Sequence, residues 1–250
     1  MIFFISDFVG RELILFIIKK FKKDIKIVVV DTKDKLTIAF LKKNLQKSKI
    51  IIWDNNNNSK AIKELEKIKP EKIFLLWWPY ILNKRILIIP KYETINIHPS
   101  YLPFYKGKDP NFWALINNGP YGVSIHKVTS KIDSGDILFR KKITNIDFSY
   151  DAKKLYELNK KKIIILFKNS YKILRKNEIT KGIPNKIVGR TNKRKNMIKK
   201  AKLDLKKYYK GENIINLLRA KNFKPHEGII FKKNKKEFSI NINIKLIKSN

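Results

Sequence analysis

The sequence predicts an α/β fold: a mostly parallel sheet with helices on both faces, followed by a small C-terminal helix and β-hairpin extension. Three observations predict it. Up to about residue 145, short apolar runs alternate with longer amphipathic ones, the pattern of strand and helix in turn. Strands that alternate with helices build βαβ units, and such units make parallel sheets covered on both faces. From Gly182-Ile-Pro184 onward the pattern changes to a basic stretch, one short helix and two strands. We therefore divide the chain into a catalytic domain, residues 1–181, and an extension, residues 182–250.

The elements follow in order. Residues 2–5 read as a buried first strand and 11–20 as a helix with one apolar face. Residues 26–30 form a β-branched strand ended by Asp31, then 36–47 a helix and 50–53 a strand. The run Asn55-Asn-Asn-Asn58 is a polar loop placed to cap a helix over 59–69. An apolar strand over 72–78 stops at Pro79, and 93–97 is the next strand. Two more strands (121–129 and 136–143) and a helix over roughly 150–176 complete this half. The basic run 191–202 reads as an exposed connector. A short helix over 212–220 precedes a hairpin with arms near 228–231 and 237–244. The first turn, Ser6-Asp-Phe-Val-Gly10, lacks the glycine pattern that grips a dinucleotide pyrophosphate. The architecture is Rossmann-like, but NAD binding is not supported.

At 250 residues and 43% hydrophobic content the chain can bury a sizeable core, which excludes disorder. It has no run of 18 apolar residues and no positive region before its first apolar stretch, so neither membrane insertion nor a secretion signal is expected. Zero cysteines exclude disulfides and thiolate metal sites and fit a cytoplasmic protein. The net charge of +36 has two readings. One is a nucleic-acid partner. The other, which we adopt, is a composition rich in Lys, Asn and Ile together, since the lysines spread over nearly every helix and arginines are few. A positive field would still collect an anionic substrate.

Chemistry concentrates in two stretches. Asn96-Ile-His98-Pro-Ser100 leads into Tyr101-Leu-Pro103-Phe-Tyr-Lys-Gly107, and Ile132-Asp133-Ser-Gly135-Asp136 follows. Asn96 and His98 fall at a strand's carboxyl end, where ligands of open parallel sheets sit. Asn96 can donate an N–H to an oxyanion, and His98 can carry a proton at neutral pH. Asp133 beside that imidazole would favour its protonated form. Such a trio suits acyl transfer to an amine and requires no metal. Singly, each has a plain structural reading: a turn cap, a satisfied loop histidine, a turn before a strand.

Taken jointly, the motifs resemble the folate-dependent formyltransferases, most of all the short bacterial enzymes that formylate nucleotide-linked amino sugars. Residues 96–107 fit that family's pattern around its catalytic Asn and His. Gly122-Val-Ser-Ile-His126 with Asp133-Ser-Gly-Asp-Ile137 fits its distal pattern. The resemblance covers most of the chain from about residue 72 and is weakest before it. It implies N10-formyltetrahydrofolate as donor and Asn96, His98 and Asp133 as catalytic residues. It also implies a pterin held at Pro79, Tyr80 and Ile81 and at Thr129, Ser130, Lys131 and Ile132, largely through backbone groups. Lys108, counted with the cofactor contacts, stands where sugar-directed members often carry Arg, which keeps the charge and loses the planar fork.

The implied acceptor is the amine of a nucleotide-linked amino sugar, such as a dTDP-4-amino-4,6-dideoxyhexose, used for surface polysaccharide. Residues 106–113 and the tail 202–225 are similar to that group. Initiator-tRNA formyltransferases resemble the catalytic half but carry a further C-terminal barrel, for which we expect no counterpart here. Of the aromatics near the motifs, Trp77 reads as core, while Trp78, Tyr105 and Trp113 are open between core and stacking. Nucleotide sugar and folate are the expected partners, nucleic acid is not, and a homodimer is compatible with the reading. A tRNA-directed formyltransferase and a non-catalytic basic nucleic-acid-binding protein remain the alternatives.

Overall fold

The computed structural model describes residues 1–186 and 191–248. Strand β1 (Ile2–Ile5) leads directly into α1 (Asp7–Phe21), β2 (Ile27–Asp31), α2 (Lys35–Asn44), β3 (Ile50–Trp53) and α3 (Ser59–Ile68). Next come β4 (Lys72–Leu76), the single turn α4 (Lys84–Leu87), β5 (Glu93–His98), α5 (Pro110–Ile116), β6 (Tyr121–Lys127), β7 (Ile137–Ile143) and α6 (Ala152–Leu174). Helix α7 (Arg194–Lys200), β8 (Lys202–Leu203), α8 (Gly211–Lys221), β9 (Ile229–Lys233) and β10 (Lys236–Ile240) complete the order.

Seven strands form one sheet in the order β3-β2-β1-β4-β5-β6-β7. Strands β1 to β5 pair in parallel, as the alternating pattern predicts. Strand β6 runs antiparallel to β5 and makes the sheet mixed. Every residue of β1, β2 and β4 is buried, so both faces of the central strands are covered. A second, three-stranded sheet has the order β10-β9-β8, with β9 and β10 antiparallel and β8 parallel to β9.

By contacts the described chain forms two compact units, each built from three stretches. The first holds Met1–His98, Ser124–Phe139 and Ile163–Asn185; the second holds Pro99–Val123, Arg140–Lys162 and Lys186–Asn250. In the first unit one core cluster joins Phe4, Val29, Trp53, Leu65, Leu75 and Trp78. A polar knot is buried in the same unit. The ammonium of Lys72 donates to Glu93 (2.8 Å), the Leu174 carbonyl (2.9 Å) and the Thr180 hydroxyl (3.0 Å), which satisfies all three of its protons. The second unit has its own core, in which Phe112 and Leu115 of α5 pack with Leu155, Met197, Leu217 and Ile229.

Three sequence expectations are corrected. The run 191–202 is not a bare connector. It contains α7, whose Met197 is buried in the second core, and it reaches β8. Trp77 is not core: β4 ends at Leu76, the backbone at Trp77 turns left-handed (φ 68°), and Trp78 enters the core instead at 8% exposure. Asn58 stands at the N-cap of α3 without a side-chain capping bond.

Candidate active site

Asn96 and His98 occupy the last turns of pleat in β5, and the antiparallel register sets Asn96 opposite His126 and His98 opposite Ser124. His98 and His126 are both buried, at 6% and 1% exposure. The Nδ1 of His126 lies 2.7 Å from the Lys127 carbonyl. A carbonyl can only accept, so Nδ1 carries the proton and a neutral ring leaves Nε2 as an acceptor. That Nε2 lies 3.1 Å from Nδ2 of Asn96 and takes one of its two amide hydrogens. The contact fixes which way the Asn96 amide faces and leaves its second N–H for another acceptor.

Asp133 reaches both histidines from the loop between β6 and β7. One carboxylate oxygen is 3.6 Å from Nδ1 of His98, and the other is 3.5 Å from Nε2 of His126. Both separations are longer than good hydrogen bonds, and the one to His98 is close enough for strong coupling to a charged imidazole. With Nδ1 of His98 facing the carboxylate, Nε2 is the nitrogen left to exchange a proton. It is buried and has no hydrogen-bond partner among the described residues.

The loop holding Asp133 is tied down on several sides. Asp133 itself is left-handed (φ 46°), and its carbonyl and that of Gly135 both accept from the Asn185 side chain, at 2.8 and 3.1 Å. The Lys127 N–H donates to the Asp136 carbonyl (2.9 Å), and the Lys127 ammonium pairs with Asp136 (3.6 Å). Gly135 is required by this return: a Cβ there would overlap the Lys127 carbonyl. The glycine, the lysine and the asparagine together aim the carboxylate.

The cofactor-contact candidates are distributed as follows. Pro79, Tyr80 and Ile81 follow the carboxyl end of β4. The Tyr80 hydroxyl is bonded to Asp31, which with burial pushes its pKa up to about 12. Its ring stands edge-on to Trp78 at 5.5 Å. Tyr80 and Val128, which leads into the second loop, pack against the same core cluster, so both loops flank it. In the second loop Thr129 donates to the Lys131 carbonyl (3.1 Å) and Ser134 to the Ile132 carbonyl (2.9 Å), while Ser130 is exposed. Ile81 and Ile132 expose 76% and 39% of their surface, the apolar complement a flat heteroaromatic ring needs. Lys108 belongs to the second unit, where its backbone N–H donates to the Asn192 carbonyl (2.9 Å).

The start of α1 offers no pyrophosphate site. The Asp7 N–H there already donates to the Asp34 carboxylate at 2.8 Å, so an anion would meet a like charge. Among the described residues no group of three His, Cys, Asp or Glu side chains could hold a metal, and no helix is long and apolar enough to cross a membrane.

Sequence reading named His126 within a motif and gave it no role. Only the cross-strand pairing with Asn96 reveals one, because the antiparallel register cannot be read from βαβ alternation.

Comparison with known proteins places the chain in a family. Residues 17–168 match the family described as Formyl transferase, and residues 197–246 match the N-formyltransferase dimerization C-terminal domain. The bifunctional polymyxin resistance protein ArnA of Wigglesworthia glossinidia brevipalpis is 40% identical over 127 residues, which is 50% of this chain and 19% of that protein. A methionyl-tRNA formyltransferase of Caldicellulosiruptor saccharolyticus is 40% identical over 116 residues, 45% of this chain and 37% of that one. The chain thus spans well under half the length of these curated relatives.

Solved structures match over the whole length. A 4-N formyltransferase from Francisella tularensis superposes with a TM-score of 0.78 at 22% identity over 98% of each chain. The N-formyltransferase from Helicobacter canadensis, solved with folinic acid and dTDP-3-aminofucose, gives 0.70 at 19% identity over 100% of this chain and 90% of that one. At these identities the likeness is one of fold. The match over residues 17–168, with Asn96, His98 and Asp133 inside it, is one of family: this chain belongs to the formyl transferases.

Proposed function

We propose that the protein transfers a formyl group from N10-formyltetrahydrofolate to the amine of a nucleotide-linked amino sugar. The observation that carries the reading is the meeting of Asn96, His98 and Asp133 at the carboxyl end of β5, with His126 holding the Asn96 amide. Full-length likeness in fold to sugar N-formyltransferases supports the choice of acceptor.

The neutral amine attacks the formyl carbon, and the carbonyl electrons move onto oxygen. The free N–H of Asn96 donates to that oxyanion, an interaction worth about 3–4 kcal/mol in comparable sites. Nε2 of His98 takes the proton the amine loses, and Asp133 stabilises the resulting imidazolium from the Nδ1 side. The oxyanion then collapses, the bond from carbon to N10 of the folate breaks, and His98 returns the proton to that nitrogen. Loops 77–82 and 128–133 receive the pterin, with Pro79, Tyr80, Ile81, Thr129, Ser130, Lys131 and Ile132 as its contacts.

The segment 197–246 supports a homodimer, since it matches a dimerization domain. A tRNA-directed reading draws on the charge of +36 and on the partial match to a methionyl-tRNA formyltransferase. The two are separated by one experiment. The purified protein is given N10-formyltetrahydrofolate with dTDP- and UDP-linked 3- and 4-amino sugars, or with charged initiator tRNA, and products are weighed by mass spectrometry. One formyl group on a sugar nucleotide is expected. Formylation of tRNA at a good rate with no sugar product would overturn the reading.

A further inference from the structure

Glu93 is buried at the start of β5, the strand that carries Asn96 and His98. One of its carboxylate oxygens accepts from the Lys72 ammonium (2.8 Å) and from the Thr180 N–H (3.0 Å). The other is buried without a hydrogen-bond partner among the described residues, and the Lys127 ammonium stands 3.7 Å from it. Two cations thus flank one buried carboxylate. Lys72 alone neutralises Glu93, so neutrality does not require Lys127.

Lys127 meets the groups of the site on three sides. Its carbonyl accepts from Nδ1 of His126 (2.7 Å), which sets the tautomer that holds the Asn96 amide. Its N–H donates to the Asp136 carbonyl (2.9 Å), and its ammonium stands 3.6 Å from the Asp136 carboxylate, both in the loop that follows Asp133. The next N–H, of Val128, donates to the Thr94 carbonyl of β5 (2.8 Å). All of these residues lie in the first unit. A buried ion pair adds little net stability, because desolvation offsets most of its attraction. Breaking it leaves a charge uncompensated, so it holds its geometry strictly. The arm from Glu93 through Lys127 therefore fixes position more than it adds stability.

We propose that Glu93 is a positioning residue for formyl transfer: through Lys127 it holds the loop of Asp133 against β6 and keeps that carboxylate beside His98. The inference rests on the reading of Asn96, His98 and Asp133 as the reacting groups, and extends it to the opposite end of β5. The titratable groups that face His98 are Asp133 of the loop, at 3.6 Å, and His126 of β6, with ring centroids 6.1 Å apart. Charge alone and positioning predict opposite signs for Lys127. Removing a cation near an imidazole favours the imidazolium and moves its titration to higher pH. Removing a cation that holds Asp133 in place takes an anion away from His98 and moves the titration to lower pH.

NMR titration of the histidines in the full chain tests this without any substrate. The chain has 3, and the exposed His226 of the second unit is an internal control. Two variants release the arm: Lys127→Met, and Lys72→Met/Glu93→Gln, which removes the anchor without stranding a buried charge. In both, the His98 titration is expected to move to lower pH while that of His226 stays in place. Lys127→Arg is expected to keep the wild-type titration. In an Asp133→Asn background Lys127→Met is expected to add no downward shift, because no carboxylate is left to hold. The kcat of Lys127→Met is expected to fall about tenfold or more, with KM changed less, since a misplacement of about 1 Å can cost roughly 100-fold. Lys127→Met still reads the arm should the double variant fail to fold.

A His98 titration that stays in place or moves to higher pH in folded Lys127→Met would overturn the proposal. So would a downward shift of equal size in the Asp133→Asn background. Should His98 shift as expected while the wild type formylates no acceptor, the proposed function fails and the positioning stands. Should the wild type formylate an amino sugar while neither variant changes His98 or kcat, the reverse holds.

Discussion

Asp133 and His98 are coupled across 3.6 Å, and the sign of that coupling is fixed by charge alone. An anion beside Nδ1 stabilises the imidazolium form, so removing it makes the ring harder to protonate. Asp133→Asn is therefore predicted to move the acidic limb of the kcat/KM profile to lower pH and to reduce its height, because the protonated intermediate loses its support. A limb that stays in place would separate Asp133 from His98. Asn96, His98 and Asp133 were legible in the sequence because they lie in short fixed motifs. The part played by His126 was not, since it depends on a register between two strands that only the folded sheet defines. The exchange of Trp77 and Trp78 has a similar origin. A left-handed residue after the last strand hydrogen bond reverses which neighbour points inward, and no periodicity announces it.

Elements with long apolar runs were read to within a few residues, whereas the short helices α5 and α7 were missed. Helix α7 has seven residues, and only Met197 and Ile198 are apolar, so it carries no stripe for a pattern to find. Helix α5 follows directly on the motif loop, and no element was expected between the strands at 93–97 and 121–129. Two local devices at this scale are testable. Gly135 lets the loop of Asp133 fold against β6, and Gly135→Ala would drive a Cβ into the Lys127 carbonyl. The variant is predicted to lose turnover and to show the shifted pH limb of Asp133→Asn, because the loop and its carboxylate move together. Kinetics identical to wild type would show that the loop tolerates the side chain.

Asp34 caps α2 through the Thr37 N–H (3.0 Å) and also accepts from Asp7 (2.8 Å). Burial alone would raise its pKa. The bonds from Asp7 and Thr37 and the charge of Arg11 outweigh that and hold it below the usual 3.8. A carboxylate lowered in the folded state contributes stability above its unfolded value and loses it as pH falls through the folded one. Asp34→Ala is predicted to cost roughly 0.5–2 kcal/mol at neutral pH in urea unfolding, with the gap to wild type closing on acidification below about pH 4. A gap that is absent at neutral pH, or that widens in acid, would contradict the capping role.

Across the whole molecule the strongest sequence signal, a charge of +36, said least about the fold or the site. Lysine serves several ends here: one is buried in the knot of Glu93 and Thr180, and one clamps the Asp133 loop. The central claim is narrower than that charge: formyl transfer depends on a donor and a proton carrier at the end of β5. The most direct measurement is the rate of formyl transfer to the amino-sugar acceptor by wild type, Asn96→Ala and His98→Ala, each confirmed as folded by circular dichroism. Asn96→Ala is predicted to lower kcat by roughly 10²–10³-fold, and His98→Ala to be at least as damaging. Near wild-type turnover in either folded variant would contradict the account.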